Sequence, residues 1–376
     1  MAGAFKAYFR CDPWDLVDEG IDAVLDRLAG EVGVDGLVVS VLTGSVCVFR
    51  AHDGVSPRTF RCPPAAHFQP ASKCYASSRL RPPTAGWIKS GNPLERVAAA
   101  CEKRGLALSA HVVACDNATI VDRHGFAACE DAFGDASPAR LCPTNPDVRA
   151  YLCGLVEDLS TNYAIEAVIL IEADFGRPAG FHPGRLNPAR SGWESSVMCF
   201  CPSCRQAAAE QDVEAGPIAH HAAALASAAD GEVGDADVSA YRRFRSSVVA
   251  ATVKAIRRHC QCALDVHFPD LDPHRGVSVE HIAEFVSGWW APESCETTRQ
   301  ALADAIGSRA RIGVCAVVGA GRELPGASAD VVRNTSDLVV AGHRNVVFES
   351  YGATPLDRLE WVRQAIRFAR REAGGV

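Results

Sequence analysis

The feature that most constrains this chain is a rhythm: short apolar runs of strand type alternate with helical patterns along its whole length. "FKAYFR" (5–10) precedes the amphipathic "WDLVDEGIDAVLDRLAGEVG". "GLVVSVL" (36–42) is followed, after a long loop, by "NPLERVAAACEKRG", a helical pattern that stops at glycine. "LALSAHVVAC" (106–115), "AVILIEADF" (167–175), "CALDVHF" (262–268), a weaker segment around "VEHIAEFVSGWW", "RIGVCAVVG" (311–319) and "NVVFESYG" (345–352) continue the alternation, giving roughly eight strand–helix units. Strands that are apolar throughout, spaced by helices, predict a parallel sheet covered on both faces. With 376 residues and no G-x-G-x-x-G after the first strand, the pattern favours an α/β protein of the (β/α)8 barrel type over an open doubly wound sheet. Residues 1–376 are expected to form one barrel domain, with an Ala-rich, flexible insertion near 206–240.

In such a barrel the chemistry belongs at the C-terminal ends of the strands and in the loops that follow them. The long loops obey this, following strand two (43–91), strand three (116–145) and strand four (176–240). The net charge is −7, with no basic run or basic-aromatic stripe, so nucleic acid is not an expected partner. No run approaches the roughly 18 apolar residues of a membrane span, and the start lacks a signal-peptide core. These features predict a soluble, cytoplasmic protein with no membrane partner; a homo-oligomer is left open.

The chain has 16 cysteines. Most stand in apolar segments such as "SVCVF" and "YLCGL", where cysteine acts as a small hydrophobe. "VMCFCPSCRQ" (197–206) differs: Cys199, Cys201 and Cys204 form a C-x-C-x-x-C set. Zinc takes four thiolates in a closed tetrahedron, so a fourth ligand is needed. Cys142, in "ARLCPTNPDVR" after strand three, is the first candidate and Cys74 the reserve.

"RLCPTNPDVRAY", a strand ending in an acid, phenylalanine and glycine, and then "CFCPSCRQA" together resemble the zinc-binding β-galactosidases of glycoside hydrolase family 42. The resemblance covers roughly 140–205. It implies that Cys142, Cys199, Cys201 and Cys204 hold a structural zinc ion. It also implies carboxylate acid/base chemistry on a glycoside. Where that family has D-N-E-Y-G at the end of strand four, this chain has Glu172, Ala173, Asp174, Phe175 and Gly176. The asparagine is lost and the acid is shortened to Asp174. Strand alternation predicts that Glu172 and Asp174 project to one face.

A glycosidase needs a second carboxylate. The family places it at the tip of strand seven, where this chain has no acid. The candidates are Glu349 at the end of strand eight, then Glu323 beyond strand seven, then Asp265 on strand five. Arg10, His111, Asp265 and His267 stand at strand positions that face the mouth. Trp193, Trp289 and Trp290 are candidates to stack on sugar rings, with Phe181, Trp87 and Tyr75 behind them. Two adjacent tryptophans are expected to leave at least one lining the cleft. The expected partner is a small carbohydrate or glycoside. Two other functions fit the same barrel. One is a metal-dependent sugar isomerase or lyase using Asp265, His267, Glu172 and His343. The other is a carbohydrate-binding barrel without catalysis.

Overall fold

The computed structural model describes residues 4–176, 193–227, 236–268, 273–292, 296–307, 311–317 and 326–374. Eight parallel strands close into a barrel: β1 (Lys6–Cys11), β2 (Gly36–Thr43), β3 (Ala107–Val113), β4 (Ala167–Ile171), β5 (Ala263–His267), β6 (Gly288–Pro292), β7 (Arg311–Val317) and β8 (Asn345–Glu349). Each strand pairs with the next, and β1 pairs with both β2 (Tyr8↔Gly36 to Cys11↔Val39) and β8 (Lys6↔Asn345 to Phe9↔Phe348), so no edge remains. The cause is legible in β2, all eight positions of which are buried. A strand covered by helices outside and packed side chains inside has no use for polar alternation.

The helices that follow the strands carry their own start and stop signals. Pro93–Arg104 opens on proline and ends at Gly105, whose φ of +66° is the left-handed conformation glycine adopts readily. Pro146–Asn162 is capped by Asn145, whose side chain accepts from the N–H groups of Asp147 and Val148. The last helix, Leu359–Gly374, buries Leu359, Val362, Ala365, Ile366 and Ala369, the i, i+3, i+4 stripe of an element packed on one side. The long first helix expected after β1 is instead broken. Pro13–Glu19 stops at Gly20, where φ is +89°, and Ile21–Asp26 restarts before a wider turn over Arg27–Val32.

The sixth strand lies at the end of the segment read for it. Val279–Ile282 and Ala283–Phe285 are helical turns, and the strand is Gly288–Pro292. The expected Ala-rich insertion is ordered helix as far as it is described, with Pro202–Ala209 and Ala215–Ser227 preceding the long helix Ala236–His259. On the mouth side, antiparallel hairpins follow β2 (Val46–Phe49 with Thr59–Cys62) and β3 (Ala128–Glu130 with Ala136–Leu141).

Inside the barrel, Tyr8, Val38, Ile169, Trp290 and Val347 pack into a floor, with the rings of Tyr8 and Trp290 edge to face at 6.3 Å. Gly313 on β7 makes this possible, because a Cβ there would stand 2.6 Å from the Trp290 indole. No helix among the described residues is long and apolar enough to cross a membrane.

Candidate active site and thiol cluster

Two residues beyond the floor, β1 presents Arg10 and β8 presents Glu349. The Arg10 Nη1 donates to Glu349 Oε1 at 3.0 Å and its Nε donates to Ser40 Oγ of β2 at 3.4 Å. Both members of the ion pair keep about a quarter of their side chains exposed, 26% and 24%, so the pair faces the open mouth. His111 of β3 and His267 of β5 are buried beside it. Among the described residues, neither ring nitrogen of His111 has a hydrogen-bond partner, nor does Nε2 of His267. Burial pushes the His111 pKa well down, and the positive charge of Arg10 adds to that. Burial also lowers His267, to about 4, against the opposing pull of Glu349 and Glu172. One imidazole therefore feels the carboxylates at the tips of both β8 and β4.

Glu172 and Asp174 do not project together as strand alternation predicts. The strand ends at Ile171, and Glu172 has a φ of +57°, which turns the chain. Glu172 keeps 24% of its side chain exposed and forms an ion pair with Arg140 at 2.8 Å. Asp174 is fully buried. Its Oδ2 accepts from Nε and Nη2 of Arg275 at 3.1 and 3.0 Å, and its Oδ1 accepts from the Gly176 N–H at 2.5 Å. Burial raises its pKa, and Arg275 and Arg140 offset only part of the rise. Gly176 is required by the turn: its φ is +63°, and a Cβ would stand 2.0 Å from Arg140 Cζ.

The tryptophans depart from expectation. Trp289 and Trp290 are both buried, at 0% and 3% exposure, because successive strand residues point to opposite faces and both faces here are covered. Trp289 packs outward on Phe268, while Trp290 points inward and donates from Nε1 to Asp265 Oδ2 at 3.0 Å. Asp265 is fully buried in that contact. Trp87 donates to His67 Nδ1, and Tyr75 donates to Asp158, so both brace the β2 loop. His343 precedes β8, at the end of the barrel opposite the mouth, and does not join His267 and Glu172. Glu323 and Phe181 lie outside the described residues, as does the side chain of Trp193.

Sequence reasoning passed over Asp12, Arg140 and Arg275. Asp12 sits one residue past β1, is 8% exposed, and has its pKa raised by burial despite Arg10 and a hydrogen bond with Ser40. An acid directly after a strand tip, in "FRCDPWD", was the available signal. The two arginines gave none, because their partners are distant in sequence.

Cys142, Cys199, Cys201 and Cys204 are buried, and their sulfurs all lie within 4.8 Å of one another. The Cys142 sulfur is 3.5 Å from those of Cys204 and Cys201 and 3.7 Å from that of Cys199. Four thiolates about 2.3 Å from a tetrahedral ion stand about 3.8 Å apart, so the residues fit a metal ion. Burial opposes ionisation here, but neighbouring thiols such as Cys129 hold Cys199 down at about 5. Cys129 is thus a fifth sulfur beside the group, unforeseen from the sequence. Cys74 is not part of it and instead lies against Gly154. The hairpin after β3 is tied to the same site, with Phe200 N–H donating to Glu130 O at 2.6 Å and Cys142 N–H to Ala127 O at 2.8 Å, and the long helix joins it through Tyr241 Oη, which donates to Cys199 O at 2.5 Å.

No family model matches the chain, and no curated protein sequence matches it. Among solved structures it is similar to the PgaB (BpsB) glycoside hydrolase domain from Bordetella bronchiseptica, with a TM-score of 0.61 and 11% identity over 96% of this chain and 98% of that one. It is also similar to the β-galactosidase of the psychrophilic Marinomonas ef1, with a TM-score of 0.57 and 12% identity over 97% of this chain and 59% of that one. The α-L-fucosidase isoenzyme 2 of Paenibacillus thiaminolyticus matches with a TM-score of 0.58 and 10% identity, over 100% of this chain and 50% of that one. At these identities the likeness is one of fold: a barrel of the kind found in glycoside hydrolases.

Proposed function

We propose that the chain is a glycoside hydrolase in which Glu172 and Glu349 act as the carboxylate pair on a carbohydrate bound at the barrel mouth. The observation that carries this reading is the pair of partly exposed carboxylates at the ends of β8 and β4, Glu349 held by Arg10 at 3.0 Å and Glu172 held by Arg140 at 2.8 Å. Glycoside hydrolysis needs one carboxyl to protonate the leaving oxygen and a second to attack or to activate water. In this reading Arg10 orients Glu349, while His111 and His267 offer ring nitrogens to sugar hydroxyls. Asp174, although it aligns with the acid of family 42, is spent on Arg275 and acts by fixing the turn that carries Glu172. The barrel architecture of the similar structures supports the assignment.

The four clustered cysteines would hold zinc, whose role is structural because four thiolates leave no position for water. The ion would fasten the loops after β3 and β4 beside the mouth. No step of the reaction runs through it.

The test is a panel of 4-nitrophenyl glycosides. Turnover by the full chain should fall by about 100-fold or more in both Glu172→Gln and Glu349→Gln. Full activity in both variants would remove this reading. The isomerase or lyase alternative has lost its gathering of ligands: among the described residues only the cysteines form a group able to hold a metal ion.

A further inference from the structure

Between the hairpin that follows β3 and the thiol cluster lies a cavity of about 150 Å³, lined among others by Glu130, Arg140, Phe175, Cys199 and Arg245. Arg245 enters it from the helix Ala236–His259 and is only 2% exposed. Its guanidinium lies over the Phe175 ring, 4.3 Å from the centroid. Its Nε and Nη1 have no hydrogen-bond partner among the described residues. The two other buried arginines nearby each have an acid, Arg140 with Glu172 and Arg275 with Asp174. Arg245 has none among the described residues. A buried guanidinium stays charged, and such a charge is stable only when something pairs with it.

We propose that this cavity receives the carboxylate of an acidic sugar, a uronic acid, paired with Arg245. The inference rests on reading the mouth as a glycoside site and gives that site its substrate class. Arg140 is the link, since its side chain lines the cavity while its Nη1 faces Glu172. A ring seated at Glu172 would therefore direct a charged substituent towards Arg245. The planar, forked guanidinium matches a carboxylate with two parallel hydrogen bonds. The volume suits a small group, because a water molecule takes about 30 Å³ in the liquid. The acids of the hairpin side, Glu130, Asp131 and Asp135, also border the cavity. Their negative charge disfavours a polyanionic chain there.

Calorimetry on the full chain with D-glucuronate, D-glucose and inorganic sulfate tests the idea. Glucuronate should bind about 10-fold or more tighter than glucose, and 0.5 M salt should shrink that advantage. Arg245→Met should abolish it, and Arg245→Lys should keep part of it. If the methionine variant does not fold, the lysine variant still reads the effect. Equal binding of glucuronate and glucose by the unaltered chain overturns the proposal, as does an advantage that survives Arg245→Met. Tight sulfate binding without a glucuronate advantage also overturns it, because it marks a plain anion site. Aryl glucuronides and aryl glucosides separate this inference from the broader one. Turnover without preference for the acidic sugar leaves hydrolysis standing and removes the uronate cavity. Arg245-dependent glucuronate binding without turnover keeps the cavity and removes hydrolysis.

Discussion

Arg10 and Glu349 meet at the mouth with a quarter of each side chain in water. An ion pair so exposed contributes little to stability, typically about 0–1 kcal/mol, and its value lies in aiming a carboxylate. Arg10→Met should therefore leave the thermal midpoint nearly unchanged while lowering kcat on an aryl glycoside by about 10-fold or more; an unchanged kcat would deny Arg10 the orienting role. The buried pair of Asp174 and Arg275 behaves in the opposite way. Removing the arginine strands a fully buried carboxylate, so Arg275→Met should destabilise the chain by about 3 kcal/mol or more in a denaturant titration. Gly176→Ala adds a Cβ 2.0 Å from Arg140 in a left-handed conformation, and the same titration should register a loss of at least about 1 kcal/mol. At this scale sequence reading was weakest. Glu172 and Asp174 stand two apart, but the turn at Glu172 and arginines 32 and 101 residues away give them different surroundings.

Among the elements, the hairpin 128–141 and the segment 199–204 depend on one another. The hairpin leads directly into Cys142, and its Glu130 carbonyl accepts from the Phe200 N–H. Metal analysis should find about one zinc per chain. Cys142→Ser or Cys204→Ser should lower that content and speed amide exchange in the hairpin, while β1 and β8 stay protected. A zinc-free chain with the same protection would show that packing alone holds the loops. The spacing of Cys199, Cys201 and Cys204 was readable because it is local. Cys142 entered through a motif resemblance, and Cys129 was missed because nothing in its own neighbourhood distinguishes it from a packed hydrophobe.

For the whole molecule, the buried histidines are one of two opposing groups that answer to acid, the other being the buried aspartates. Trp87 donates to Nδ1 of His67 and Thr43 meets its Nε2, an arrangement that requires a neutral ring, and burial lowers its pKa to about 3. Burial also lowers His267 and His343, each to about 4, and depresses His111. The unfolded chain takes up these protons near pH 6.5, before the folded chain does. The contribution of these imidazoles to stability should therefore fall as the pH drops from about 6.5 towards 4, against the opposite drift of Asp12, Asp15 and Asp174, whose burial raises their pKa values. An NMR titration of the folded chain in which the His67 ring takes up its proton near pH 6.5 would contradict a neutral, buried imidazole.

The sequence by itself determined the closed parallel barrel, since strand runs apolar on both faces and separated by helices of matching length leave few other ways to bury them. It also determined that three thiols would stand together, because six residues cannot carry them far apart. Only the tertiary structure decided which acids face water and which are consumed by arginines, that both Trp289 and Trp290 are covered, and that Arg245 is buried without an acid. Those outcomes, the last of them read among the described residues, depend on side chains brought together across the barrel, and electrostatic partnership over such separations leaves no trace in local pattern.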